Sequence, residues 1–400
     1  MISVEQAVAT ILTYTTPFLT REVELQAALG KVLAENITAD RDFPPFDRAT
    51  MDGIAIRFQD FQQGQRSFEI EAIAAAGKPQ CQLKHPNACL EIMTGAILPD
   101  GADVIIRYED VEIKDGKAFV TVPQLTALQH IHLQGEDRKQ GDVLLKRGTI
   151  LGAAEIGIAA TVGKSTLMVV ATPKALIISS GDELIPIHET PLTYQIRQSN
   201  NYAIQAILKS WGIESDTLHL PDDEEVIKTN LAFSLQKYDF LILSGGVSEG
   251  KYDFIPKTLS ALGVHPHFHK VAQKPGKPLW FGTTATGKVV FALPGNPVSA
   301  FLCIYRYVQI WWLAAAGCNQ PLQYARLDEA VEFKAPVTYF LQVRLRQDEA
   351  GYLTAQPIFG HGSGDLANLL DADAFMELPK DRNRFEAGEV HLIWRYRNLR

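Results

Sequence analysis

Cysteine is scarce in this sequence: Cys81, Cys89, Cys303 and Cys318 are the only four in 400 residues, and none forms a CxxC pair. Such sparseness excludes a disulfide framework, argues against a structural zinc site and suits a reducing compartment. A basic excess is also missing, with 38 Lys plus Arg against 46 Asp plus Glu and a net charge of −8. A nucleic-acid surface needs cations to neutralise phosphates along a strand, so that partner class is set aside; a small anion needs only a few placed cations. No basic residues precede the first apolar stretch and Glu5 interrupts it, which is not the pattern of a signal peptide. The longest apolar segment, Val298 to Gly317, carries Arg306 and Gln309 and directly follows a strand and turn, so it reads as a buried helix. Repeats and low-complexity tracts are absent as well. The expectation is a soluble, cytoplasmic protein with no nucleic-acid or membrane partner.

What the chain does have is length and a changing texture. Four hundred residues exceed what one hydrophobic core usually organises. Residues 1–43 read as helical, with an apolar rhythm at Val4, Ala7, Val8, Ile11 and Leu12. From Phe46 short β-like runs take over, among them Gly53 to Arg57, Phe68 to Ile73, Ala102 to Ile106 and Ala118 to Val122. Between about 172 and 318, strand and helix alternate, and strands such as Ala175 to Ile178 and Asp239 to Leu243 have continuously apolar centres. That pattern predicts a mainly parallel sheet covered on both faces. The helix starting at Asn200, with Asn200 as cap, is expected to stop at Gly212. After Gln320 only short strands remain. The expected fold class is therefore α/β multidomain: a linking domain from 1–45 with 138–171, an inserted β-rich domain at 46–137, an α/β domain at 172–318 and a β domain at 319–400.

Five polar loops rich in glycine or proline lie in or beside the α/β block. They are Ser179 to Glu183, Leu220 to Asp223, Ser244 to Gly250, Lys274 to Pro278 and Leu293 to Pro297. Four directly follow a predicted strand, and the lysine loop joins two strands. Ligands of open α/β sheets bind outside the carboxyl ends of the strands, so these loops should converge on one crevice. Gly245 and Gly246 let backbone N–H groups approach an anion, and Lys274 and Lys277 supply positive charge. Glu183, Asp222 or Asp223, and Asp253 supply carboxylates. Carboxylates beside an anion repel it unless a cation intervenes, and hard oxygen donors suit Mg²⁺. The chemistry implied is a phosphorylated small molecule held with a divalent metal.

Other patterns lead nowhere. Gly245 to Lys251 begins like a phosphate loop, but Tyr252 replaces the Ser or Thr that would bind Mg²⁺. Gly163-Lys164-Ser165-Thr166 follows a helix, and its leading glycine, Gly157, is one residue too distant. His265, His267 and His269 alternate on a strand, where a solvent-facing edge explains them as well as a metal does; His130 and His132 are read the same way.

Several motifs, in this order, resemble the molybdopterin molybdenumtransferase family, the molybdenum insertases similar to the E domain of gephyrin. They are Pro44-Pro45-Phe46-Asp47 with Met51-Asp52-Gly53, Met93-Thr94-Gly95-Ala96, Gly135-Glu136-Asp137 and Ser180-Gly181-Asp182-Glu183-Leu184. Ser244-Gly245-Gly246-Val247-Ser248 with Gly250 and Asp253, Lys274-Pro275-Gly276-Lys277-Pro278, Leu293-Pro294-Gly295-Asn296-Pro297 and Gly362-Ser363-Gly364 complete the set. The resemblance implies an enzyme that inserts molybdate into adenylylated molybdopterin with Mg²⁺-dependent release of AMP. It implies a homodimer whose cleft lies between the α/β domain and the N-terminal half of the other subunit, and a separate molybdopterin adenylyltransferase as partner. Carried over by motif, Asp52, Thr94, Asp137, Glu183 and Asp253 are expected to be catalytic. Ser244, Gly245, Gly246, Ser248, Lys274, Lys277, Pro294, Gly295, Asn296 and Ser363 would bind the pterin and anions, and Glu183, Asp222, Asp223 and Asp253 the metal. A non-catalytic molybdopterin-binding scaffold and a tungstate insertase stand as alternatives.

Overall fold

The structure, a computed structural model, describes residues 1–247, 254–318 and 321–398. Two compact units share the chain. One comprises Met1–Ala34, Arg147–Gly152 and Thr166–Arg400, and the other Glu35–Lys146 with Ala153–Ser165.

The first helix, α1 (Val4–Thr13), is shorter than the sequence pattern suggested. Ser3 and Gln6 form a reciprocal capping box at its start. Thr15, Thr16 and Pro17 follow it, and the chain then runs as strand β1 (Thr20–Glu24). Helix across 1–43 is thus corrected to one helix, two strands (Thr20–Glu24 and the two-residue Ile37–Thr38) and a single 3-10 turn at Leu25–Ala28. Strand β1 hid because four of its five residues face solvent and give no apolar alternation.

The second unit holds a six-stranded sheet. Its strands are β2 (Gly53–Ile56), β3 (Ser67–Ala74), β4 (Ala88–Ile92), β5 (Val104–Arg107), β6 (Val111–Lys114) and β7 (Lys117–Val120), ordered β5-β2-β4-β3-β7-β6. Ile54, Ile56, Phe68 and Ile106 fill one apolar cluster, and Ala55, Leu90, Ile92 and Ile105 another. The sheet is therefore buried on both faces. Helix α2 (Ala153–Thr161) belongs to the same unit.

In the first unit, β8 (Thr166–Val170) pairs antiparallel with β1. The α/β sheet follows: β9 (Ala175–Ser180), α3 (Asn200–Ser210), β10 (Ser215–Leu220), α4 (Glu224–Lys237), β11 (Phe240–Ser244), α5 (Ile255–Ala261) and β12 (His265–Lys270). It ends with β13 (Gln273–Lys274), β14 (Pro278–Thr283) and β15 (Val289–Leu293). Six of these strands form one sheet in the order β10-β9-β11-β15-β14-β12, in which only β14 runs against the rest. Every residue of β9, β11 and β15 is buried. That is why their sequences are uninterrupted apolar runs rather than alternating ones.

Residues Pro297–Ala315 make the one described helix long and apolar enough to cross a membrane, yet most of it is buried within this unit as a core helix. It consists of α6 (Pro297–Cys303), a π-turn at Ile304–Val308 and α7 (Gln309–Ala315). Arg306, the charge that set this segment apart in the sequence, is buried in an ion pair with Glu377, its Nε 2.9 Å from Oε2.

Strands β16 (Gln323–Leu327), β17 (Thr338–Gln347), β18 (Leu353–Pro357), β19 (Ala374–Leu378) and β20 (Val390–Arg395) complete the unit. Pairing of β17 with β19 closes these five into a ring, and β13 adds to it parallel to β17, with Lys274 opposite Tyr339. A two-residue strand thus ties the lysine loop to the C-terminal sheet.

Candidate active site

The order of the α/β sheet decides where a ligand goes. From β9 the chain steps to β10 on one side and then to β11 on the other, so the connections diverge from β9 and open a crevice at the strands' carboxyl ends. A cavity of about 480 Å³ lies there, lined by Ser180, Glu183, Asn200, Ser244, Gly245 and Gly295 among others. Gly245 has φ +95°, and a Cβ on it would stand 2.7 Å from the Ser180 carbonyl oxygen. Only glycine lets these neighbouring strand ends approach so closely.

Hydrogen bonds between side chains bind the loops together. Asn200 Nδ2 donates to Ser244 Oγ at 2.7 Å and to the Gly295 carbonyl at 2.8 Å. It therefore joins the loops after β11 and β15, whereas the sequence cast it as a helix cap; the N-cap position is Ser199. Asn201 Nδ2 donates to Ser179 Oγ, whose hydroxyl also meets His219 Nδ1 at 3.1 Å. Asp222 and Asp223 have different surroundings. Asp223 caps α4 by accepting from the Val226 N–H, while Asp222 accepts the Ser180 hydroxyl at 2.9 Å. The Glu183 carboxylate folds back toward Gly181, where an added Cβ would meet Oε2 at 2.5 Å. Arg197 also lines this cavity, its Nε donating to the Glu189 carbonyl. Sequence reading missed it, because a lone arginine in a polar stretch has no spacing to mark it.

A second cavity, of about 380 Å³, lies beside the lysine loop. Lys274, Lys277, Pro294, Asn296, Ser299 and Ser363 are among its lining residues. Asn296 lines both cavities and donates from Nδ2 to Ser363 Oγ at 2.7 Å. Both lysines are exposed and, among the described residues, neither is ion-paired; Lys274 Nζ stands 5.6 Å from the Phe333 ring centre. Two exposed ammonium groups beside hydroxyl and amide donors suit a small oxyanion.

Asp52, Thr94 and Asp137 belong to the other unit. Asp52 Oδ1 accepts both the hydroxyl and the backbone N–H of Thr94, each at 2.6 Å. Asp137 Oδ1 meets His132 Nε2 at 3.0 Å. The two pairs are linked through Ala49, which lies opposite Ile131 in one ladder and accepts the Gly95 N–H. The Thr94 hydroxyl first, and then its N–H, hold the Asp52 carboxyl below the usual carboxylate range. With the folded pKa below the unfolded one, the pair contributes stability above the unfolded value of about 3.9, and that contribution is lost as pH falls through the folded value. Thr94→Val removes the hydroxyl and keeps the N–H. The Asp52 midpoint in a carboxyl-carbon NMR titration should then move up toward the ordinary value, and an unmoved midpoint would show that the hydroxyl is not what holds it.

Ser248 and Asp253 lie outside the described residues. Among the described residues no three His, Cys, Asp or Glu side chains gather into a metal-holding group. Of the three alternating histidines, His265 and His267 keep an edge contact with ring centres 5.0 Å apart; His267 Nε2 meets Thr283 Oγ1 and its ring stacks on Tyr14, while His269 Nε2 meets the Val247 carbonyl. The donors near the first cavity are carboxylate and hydroxyl oxygens. They fit a Mg²⁺ ion that takes one or two protein ligands and keeps waters or phosphate oxygens for the rest.

Three family descriptions match the chain in succession: the MoeA N-terminal region, domains I and II, over residues 2–163; a probable molybdopterin binding domain over 176–311; and the MoeA C-terminal region, domain IV, over 324–394. A molybdopterin molybdenumtransferase of Synechocystis is 40% identical over 392 residues, covering 97% of this chain and 98% of that one. One from Staphylococcus epidermidis is 31% identical, with 97% and 94% covered. The crystal structure of the molybdopterin biosynthesis MoeA protein from Pyrococcus horikoshii superposes with a TM-score of 0.84 at 28% identity, over 99% of this chain and 100% of that one.

Proposed function

Because the chain belongs to the molybdopterin molybdenumtransferase family, a family of transferases in molybdenum cofactor biosynthesis, we propose that it inserts molybdate into adenylylated molybdopterin with Mg²⁺-dependent release of AMP. What chiefly supports this reading is that Asn296 lines two cavities at once, one floored by glycine-rich strand ends and the other beside two lysines that have no ion pair among the described residues. A substrate carrying both a phosphoanhydride and an oxyanion acceptor needs two such adjoining places.

In this reading Ser244, Gly245, Gly246, Ser248 and Gly295 hold the phosphate groups by backbone N–H and hydroxyl donors, and Pro294, which has no N–H, contributes only the shape of its loop. Lys274 and Lys277, helped by Ser363 and Asn296, hold molybdate oxygens. Glu183, Asp222 and Asp253 are the proposed holders of Mg²⁺ or its waters, with Asp223 left to its helix cap. When bound, the metal supplies positive charge where the cleaved phosphoanhydride becomes more negative. Asp52, Thr94 and Asp137 are assigned to the same reaction from a second copy of the chain. The homodimer, a cytoplasmic location, the separate adenylyltransferase that supplies the pterin, and the four-domain plan at 1–45 with 138–171, 46–137, 172–318 and 319–400 belong to the same proposal.

The test is AMP release from adenylylated molybdopterin with Mg²⁺ and molybdate each supplied or withheld. Release is expected only with both present, and it should collapse in Asp253→Asn. Tight pterin binding without release would select the scaffold reading instead.

A further inference from the structure

Beneath the lysine loop lies a buried polar side chain to which the proposed reaction gives no part. Gln273 is 2% exposed, and both ends of its amide are committed. Nε2 donates to the Gly276 carbonyl at 3.0 Å and lies 3.8 Å from Cys303 Sγ. Oε1 accepts the hydroxyl of Tyr307, itself fully buried. Tyr307 stands in the π-turn between α6 and α7. A π-turn adds one residue to a helical turn, which advances the side chains after it by about 100° relative to an unbroken α-helix. The amide therefore bridges a local irregularity in the core helix and the middle of the lysine loop.

The loop packs tightly on this bridge. Gly276 has φ +89°, and a Cβ there would lie 2.7 Å from Gln273 Nε2 and 3.2 Å from Cys303 Sγ. Burial pushes the Cys303 thiol up to about 12, so it stays neutral and sets no charge against the lysines. The flanks of the loop are tied by backbone: Gln273 and Lys274 pair with β17, and the Val271 N–H donates to the Lys277 carbonyl. Its middle is tied by the Gln273 amide. An apolar residue of equal length would leave the Gly276 carbonyl and the Tyr307 hydroxyl without that partner, an arrangement buried groups seldom tolerate.

We propose that Gln273, braced by Tyr307, is a positioning residue that holds the Lys274–Lys277 loop in its anion-binding shape. The inference rests on the reading of that loop as the molybdate cradle, and the experiment separates the two. Gln273→Met, Tyr307→Phe and Lys277→Ala are compared in AMP release at varied molybdate. Gln273→Met should raise the molybdate KM about tenfold and Tyr307→Phe about threefold, with kcat within about twofold of wild type. A merely structural loss would reduce the folded fraction, lowering apparent kcat and leaving KM unmoved. If Gln273→Met fails to fold, Tyr307→Phe, which deletes a single oxygen, carries the test. An unchanged molybdate KM in the folded variants, with Lys277→Ala raising it, overturns the positioning role and leaves the cradle standing. An unchanged KM in Lys277→Ala overturns the cradle and the positioning role together.

Discussion

Lys277→Ala is expected to lower kcat/KM for molybdate by about 10²–10³-fold, the scale of removing one fixed donor from a charge that an active site is built to hold. Lys277 has no ion pair among the described residues, so its removal should leave the fold intact and its charge uncompensated only where the anion binds. Lys274 sits three residues away across the same loop and can take over only part of the role. Lys277→Arg should recover little, because a planar guanidinium cannot stand in for a compact ammonium in a pocket shaped for it. The measurement is AMP release over a molybdate series. Activity within about threefold of wild type would show that Lys277 does not contact the anion.

The second large effect concerns stability. Glu377→Ala should destabilise the first unit by about 3–5 kcal/mol, the usual cost of leaving one member of a buried ion pair alone. The side chains of Arg306 and Glu377 are 7% and 12% exposed, with Arg306 Nη2 donating to Glu377 Oε1 at 3.2 Å. Trp394 Nε1 also donates to Glu377, at 2.7 Å, and the guanidinium lies 4.4 Å from the Trp394 ring centre. Removing the carboxylate therefore strands a cation and an indole N–H together. Arg306→Met combined with Glu377→Leu should cost less than Glu377→Ala alone, since no buried charge remains unpaired. Denaturant unfolding of the three proteins checks the ranking, and a single variant as stable as wild type would show that the pair is dispensable.

The parts of the fold that could be read in the sequence were those governed by burial of consecutive residues. Strands β9, β11 and β15 are apolar along their length because both faces are covered. Their loops are recognisable by glycine and proline, and those after β9, β11 and β15 line one cavity, whereas the lysine loop, expected in the same crevice, lines a second and no residue of 220–223 lines either. What stayed hidden was set by partners far away in the chain. Asn200 looks like a cap until β11 and β15 supply its two acceptors. Asp222 and Asp223 are indistinguishable as neighbours, and separate only because Ser180 reaches one while Val226 meets the other. The π-turn left no trace in a mostly apolar helix, and β1 left none because, paired with a strand more than a hundred residues on, it turns four of its five residues to solvent.

That same dependence on distant partners shapes how the chain can mature. Val4, Ala7 and Ile11 of α1 are completely covered in the finished protein, in a cluster with Trp311, and α1 packs on α7. These groups meet across three hundred residues or more of chain, with a whole second unit synthesised between them. At about 5–20 residues per second, the nascent amino-terminal helix waits roughly 15–60 s with its greasy stripe uncovered. The opening helix is thus a latecomer to its own core, and the interval before it docks is when a ribosome-bound holdase would have most to shield.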